Sequence, residues 1–355
     1  MMKAPFIWDR YSDQPYPIKD KVYKKKMRSK HIFAYIPLVL VTILMFPLSV
    51  LLMPFLKSKK EESSEFYGIG VNLDKGTIQN TLIEELGVKH LLIRMPLWDM
   101  KRVDDYVTFA QSFGEDKHIL INIIQDREHI EDKVLLQKDI EIIFEKFLSF
   151  VTQYQIGHAI NRTKWGFFSM DEYLQWFMCI QNIRDHKYPQ IKLIGSSVID
   201  FEFHYTIRTL FNLFSVKYDV FSSLLYVDRR GSPYHTQMGI FDTKNKINML
   251  YALVRLSPKS KNQIYITEVN WPLSNTAPYA PTSEAECVDE DTYAQYMMEY
   301  YHIAKESQKI KRVYWHQLIA SGYGLVDDRE NTIRKTEAFE IYKNMIKKDK
   351  QNENI

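Results

Sequence analysis

The sequence predicts a (β/α)8 TIM barrel preceded by a single transmembrane helix. Three observations carry this. Eight short apolar runs alternate with eight segments of helical period. Polar and aromatic residues gather just past the C-terminal ends of those runs. Near the N-terminus, Ile32–Leu56 is a stretch of 25 residues without a charge.

Taken in chain order, residues 1–30 form a basic tail, expected in the cytoplasm. Residues 1–60 hold 12 Lys/Arg against three Asp. Within the tail, Trp8–Tyr16 (WDRYSDQPY) is either disordered or a docking segment for a cytoplasmic partner. Residues 31–56 read as the transmembrane helix. At ~1.5 Å rise per residue the uncharged stretch spans a hydrocarbon core of about 30 Å. Pro37, Pro47 and Pro54 interrupt it, which membrane helices tolerate better than soluble ones. It is long and late for a signal peptide, and no small-x-small cleavage site follows. Lys19, Lys21, Lys24, Lys25, Lys26, Arg28 and Lys30 precede it, while Lys57, Lys59 and Lys60 follow. This bias places the N-terminus in the cytoplasm and the body in the periplasm, anchored to the inner membrane through residues 31–56. Residues 57–65 are a charged linker, 66–347 the barrel domain and 348–355 a disordered tail.

The expected strands are Tyr67–Leu73, His90–Leu97, His118–Ile123, Tyr154–Gly157, Ile191–Val198, Val220–Tyr226, Ile264–Thr267 and Val313–Gln317. The helical segments between them are Ile78–Leu86, Asp104–Phe113, Asp139–Thr152, Asp171–Asp185, Tyr205–Phe214, Lys244–Leu256, Asp291–Glu306 and Glu337–Met345. Eight such pairs suit a closed barrel. A doubly wound open sheet would need a glycine-rich phosphate loop after its first strand, whereas GIGVNL places its glycines inside the strand. After residue 60 the chain carries 35 Lys/Arg against 41 Asp/Glu, a mildly acidic balance that argues against nucleic acid as a partner. Cys179 and Cys287 are far apart and read as unpaired thiols. No metal-ligand spacing and no cofactor motif is present.

Active groups of such a barrel sit at the C-terminal strand ends. Those ends offer Arg94 and Trp98 after the second strand, and His158, Asn161 and Trp165 after the fourth. Asp200 and Glu202 follow the fifth, Tyr226 ends the sixth, Glu268 and Trp271 close the seventh, and Trp315 closes the eighth. Indoles stack on the C–H faces of sugars, and carboxylates and amides bond hydroxyls, so a glycan is the expected ligand. Asn161-Arg162-Thr163 also matches a glycosylation sequon, read here as coincidence inside the site loop.

On GIGVNL, Arg94, QIGHAINRTKWG, Tyr226, ITEVNWP and VYWHQL with GLVDD, residues 66–345 resemble a retaining glycoside hydrolase of clan A, nearest to family 39. The resemblance implies Glu268 as nucleophile, Arg94 and Tyr226 as the groups that hold it, and Trp315 as the floor of the sugar subsite. Asn161, Trp98, Trp165 and Trp271 complete the substrate contacts. The family pattern after the fourth strand is Asn-Glu, the Glu being general acid/base. Here it reads His158-Ala159, so the acid/base Glu is replaced by Ala159. A His usual before the sixth-strand Tyr is Leu224. Retaining hydrolysis uses two carboxyl groups ~5–5.5 Å apart, and three readings stay open. His158, Glu202 or Asp200 supplies the proton. The barrel binds glycan without cutting it, as a pseudo-glycosidase or envelope scaffold. Or Glu268 acts alone on good leaving groups or in transfer. The expected setting is envelope polysaccharide or lipopolysaccharide, beside polysaccharide-assembly proteins.

Overall fold

The computed structural model describes residues 6–58, 65–329 and 332–353. Eight parallel strands close into a barrel. They are β1 (Tyr67–Val71), β2 (His90–Pro96), β3 (His118–Ile124), β4 (Gln153–Ile156), β5 (Lys192–Ile199), β6 (Val220–Leu224), β7 (Ile264–Val269) and β8 (Arg312–Trp315). The helices that follow them are α1 (Ile78–Leu86), α2 (Val103–Gln111), α3 (Lys133–Phe147), α4 (Met170–Lys187), α5 (Phe203–Leu210), α6 (Thr243–Leu256), α7 (Glu290–Glu306) and α8 (Glu337–Glu353). The expected elements all appear, with shifted ends. Helix α3 starts six residues early because Asp132 caps it, accepting from the amides of Val134 and Leu135. Ser169 caps α4 in the same way, accepting from Glu172 N. Helix α8 runs through residues 348–353, where a disordered tail was expected. Tyr67 there donates to Asp349 at 2.6 Å, and Lys350 donates to the Gly87 carbonyl at 2.7 Å.

Alternation along the strands sorts the side chains. Leu92, Leu120, Ile194, Val220, Tyr265 and Tyr314 form a separate apolar cluster that fills the barrel interior. Gly68 makes room for it, since a Cβ there would lie 2.5 Å from the Tyr314 ring. Two residues above Leu92 and Leu120, the same parity carries Arg94 and Asn122 to the mouth. Strand β7 breaks the alternation. Val313 pairs with Ile266 but Trp315 pairs with Val269, so β7 spends one residue more than β8. This bulge re-aims the chain after Tyr265 and turns Glu268, rather than Thr267, to the mouth.

The N-terminal segment is structured. Trp8–Asp9 pairs antiparallel with Gln14–Pro15 to form a hairpin. A basic helix, Lys21–Lys30, follows, capped by Asp20. An apolar helix, Tyr35–Leu52, lies along the barrel wall against α5 and α6. Phe46 stacks on Phe203 at 4.4 Å, and Leu38 and Ser49 are buried. Ile32–Leu52 is one helix long and apolar enough to cross a membrane. Residues before and after it also contact the barrel, Asp13 through Arg94 and Lys57 through Tyr251. Ser12 and Pro15 of the hairpin are buried and Trp8 is half-buried. The charged linker falls largely on residues 59–64, outside the described residues.

Candidate active site

Glu268 is 6% exposed and sits at the centre of the mouth. Arg94 Nη2 donates to its Oε2, and the Tyr226 hydroxyl donates to Oε1 at 2.6 Å. Burial pushes the Glu268 carboxyl up, but the Arg94 charge and the two hydrogen bonds outweigh it and hold the group below its ordinary value. Glu268 is therefore an ionised carboxylate in a dry site. The same burial, with Glu268 beside it, keeps Tyr226 protonated far above its ordinary range.

His158 lies beside this cluster, its Nε2 3.5 Å from Glu268 Oε2. Arg94 Nη2 donates to that same Nε2 at 3.1 Å, so Nε2 must be bare. Nδ1 lies 3.1 Å from the Asn122 amide nitrogen. Burial and then the Arg94 charge drive the imidazole well below its ordinary pKa. His158 is thus a neutral acceptor that steadies Arg94, with no proton aimed at the mouth. Glu202 accepts from Arg162 Nη1 at 2.5 Å and from Asn161 Nδ2 at 2.6 Å. Asp200 accepts from Arg162 Nη2 at 2.6 Å and lines the mouth, whereas Glu202 and Asn161 do not. Asn161 also accepts from Ile199 N at 2.9 Å, tying the loop after β4 to β5.

Ala159 is fully buried at φ 44° and does not line the cavity. A glutamate there would bury a carboxylate from a left-handed backbone position. Ala159→Glu is therefore expected to restore no hydrolysis and to cost about 1–3 kcal/mol of stability, measured as urea midpoints beside an aryl-glycoside assay.

The aromatic expectation divides. Trp165 lines the mouth, and Trp98 lies beside it. Trp271 and Trp315 are fully buried and stack on each other at 5.9 Å. Trp271 donates to the Gly231 carbonyl and Trp315 to the Tyr293 hydroxyl. Because Tyr314 faces the interior, its neighbour Trp315 must face the helices. The residue presented to Glu268 from this strand end is His316, at 3.8 Å. It stacks on Tyr323 at 5.4 Å.

The largest departure from expectation is the hairpin. Its Trp8 ring sits 5.1 Å from Trp98 in a tilted contact and 5.6 Å from Trp165 in an edge-on one, packing against two indoles expected to take sugar. Asp13 Oδ2 accepts from Arg94 Nη1 and from Gln317 Nε2, each at 3.0 Å. Gln14 accepts from Lys164 Nζ at 2.6 Å and donates to the Pro281 carbonyl at 3.0 Å. The cavity left over Glu268 is about 210 Å³, walled by Asp13, Lys164, Asp200, Arg230, His316 and Tyr323 among others. That is below the ~300–1,000 Å³ of most small-molecule sites. Burial, then the Arg162 charge, brings Lys164 down to about 8. Asp13, Gln14, Lys164 and Arg230 were missed from sequence. The tail's density of Trp, Tyr and Pro was the one available signal.

At the opposite end of the barrel Glu65, His90 and His118 bring ligand atoms within 4.8 Å of one another. The imidazoles stack with planes 18° apart, and Arg312 pairs with Glu65 at 2.9 Å. A cation would have to unstack the rings and displace a guanidinium.

Solved structures share this architecture. A family 1 β-glucosidase from Thermotoga maritima matches with TM-score 0.59 at 13% identity, over 82% of this chain and 99% of that one. A GH39 β-xylosidase from Caulobacter crescentus matches with TM-score 0.55 at 10% identity, over 82% and 72%. A GH39 enzyme from Xanthomonas axonopodis pv. citri matches with TM-score 0.54 at 11% identity, over 81% and 67%. At these identities the likeness establishes the fold alone, a closed (β/α)8 barrel. No family model matches the chain, and no curated protein matches it in sequence.

Proposed function

We propose that the chain acts on glycosidic bonds with Glu268 as a covalent nucleophile. The observation that supports this most is the Arg94–Glu268–Tyr226 cluster. A buried carboxylate held ionised by one guanidinium and one phenol is built to attack and then leave. A Glu268 oxygen bonds the anomeric carbon as the bond to the leaving oxygen breaks, giving a glycosyl ester that water then hydrolyses.

Lys164 is our candidate for the proton. It lies on the loop after β4, five residues beyond Ala159, and lines the cavity with Glu268. As an ammonium it protonates the leaving oxygen, and as an amine it takes a proton from the incoming water. With its pKa near 8, turnover of an unactivated glycoside should fall as pH rises through about 8. Below that the ammonium is present, and Glu268 stays ionised because its pKa is depressed. Lys164→Met should cost ~10²–10⁴-fold on poor leaving groups, abolish the alkaline limb, and leave kcat/KM on activated aryl glycosides nearly unaffected while their kcat falls as deglycosylation loses its base. An unchanged pH profile would remove Lys164 from the mechanism.

A second reading, glycan binding without cleavage, is favoured by the alanine at the acid/base position. The two separate on activated aryl glycosides, where hydrolysis needs no acid: turnover lost in Glu268→Gln supports the nucleophile, and sugar binding with no turnover in either form supports the binder. The substrate class we expect is an envelope polysaccharide or lipopolysaccharide glycan, by analogy of fold and membrane attachment alone.

A further inference from the structure

We propose that Ile32–Leu52 lies in the surface of an anionic lipid bilayer instead of crossing it, with the basic helix beside it seated on lipid phosphates. This does not depend on the glycosidase reading.

The apolar helix has two faces with different fates. One face is already used, since Leu38, Phe46 and Ser49 pack on the barrel and Met45 and Val50 join its core. On the other, Phe33, Leu40, Ile43, Leu44, Leu51 and Phe55 are 62–78% exposed. Their spacings of seven and four residues hold them in one stripe. So large a run of exposed apolar side chains marks an interaction surface.

Both ends of the helix are tied to one body. The hairpin before it is bonded to Arg94 and Gln317 at the mouth. The basic helix joins it there, and Tyr35 donates to the Phe168 carbonyl at 3.3 Å. After it, the Lys57 carbonyl accepts from Tyr251 of α6 at 3.4 Å. A helix crossing a bilayer would have to abandon one set of these contacts. A helix lying in the interface keeps both and buries only the free stripe.

The charge around the stripe selects the occupant. Lys21, Lys24, Lys25 and Arg28 line an open cleft that ends on Ile32 and Tyr35, at the head of the stripe. None of these four pairs with a carboxylate among the described residues. Exposed Lys57 stands near the other end. Cations at both ends of an apolar face fit acidic headgroups over acyl chains better than a protein groove.

The test uses the full chain and vesicles of phosphatidylcholine with or without phosphatidylglycerol. Flotation should require phosphatidylglycerol and weaken with salt. Lys24→Gln with Lys25→Gln and Arg28→Gln should reduce partitioning roughly 100-fold. Ile43→Asp with Leu44→Asp should abolish it while the melting temperature holds. A membrane-impermeant maleimide should label Lys19→Cys and Lys261→Cys from the same side of sealed vesicles, in a background lacking the native cysteines. Labelling from opposite sides would show a spanning helix and overturn the proposal. So would equal flotation on neutral vesicles, or a lipid-free dimer that Ile43→Asp with Leu44→Asp dissociates.

Discussion

Glu268→Gln is expected to lower turnover of an activated aryl glycoside by on the order of 10⁴–10⁶-fold, the range seen when a covalent nucleophile is removed. The substitution keeps the side chain's shape and lets Tyr226 go on donating to Oε1. The loss should fall on kcat, with KM little changed, because the carboxylate's charge matters most when the anomeric carbon becomes cationic. Sugar affinity measured by calorimetry should survive. Equal loss of binding and turnover would instead mark Glu268 as a hydroxyl ligand.

Arg94→Met should have the largest effect on the fold. It removes the partner of a buried carboxylate, which typically costs about 3–5 kcal/mol because the remaining charge stays uncompensated. Glu268 would then lose its principal counter-charge, and its carboxyl would rise toward neutrality as burial prevails. The sign follows: with a depressed folded pKa, Glu268 contributes stability above its unfolded value that is lost as pH falls through the folded one. That acid sensitivity should be weaker in Arg94→Met. Asp13 loses its anchor too, so the hairpin should loosen and trypsin should cut at Arg10 or Lys19 sooner. Chemical denaturation at two pH values and limited proteolysis measure both. A variant as stable as the parent, with an uncut hairpin, would contradict the assigned cluster.

The barrel was legible because its signals are local. Strand and helix periods, the cap at Ser169 and the run ending in Glu268 can all be read within a few residues, whereas the last barrel helix but one starts from Asp289 and not from Asp291. Arg94 and Tyr226 were legible because both lie at the mouth end of their strands, Arg94 within β2 and Tyr226 two residues past β6. What failed depended on register or on distance. Trp315 was one position out of phase, and a single-residue offset sends a side chain to the other face of a strand. The β7 bulge that turns Glu268 inward is set by its pairing with β8. Glu202 was placed at the right strand end, but Arg162 and Asn161 hold it away from the cavity. The hairpin could not be foreseen, since Asp13 and Arg94 are 81 residues apart.

Incubation with 2-fluoro glycosides bearing an activated leaving group, followed by intact mass and peptide mapping, addresses the central carboxylate most directly. Such compounds need no acid, so the first step does not depend on which group, if any, supplies a proton. The expected result is one glycosyl adduct on the peptide containing Glu268, absent in Glu268→Gln. No adduct across a broad sugar panel, with sugar binding intact, would contradict a nucleophilic Glu268.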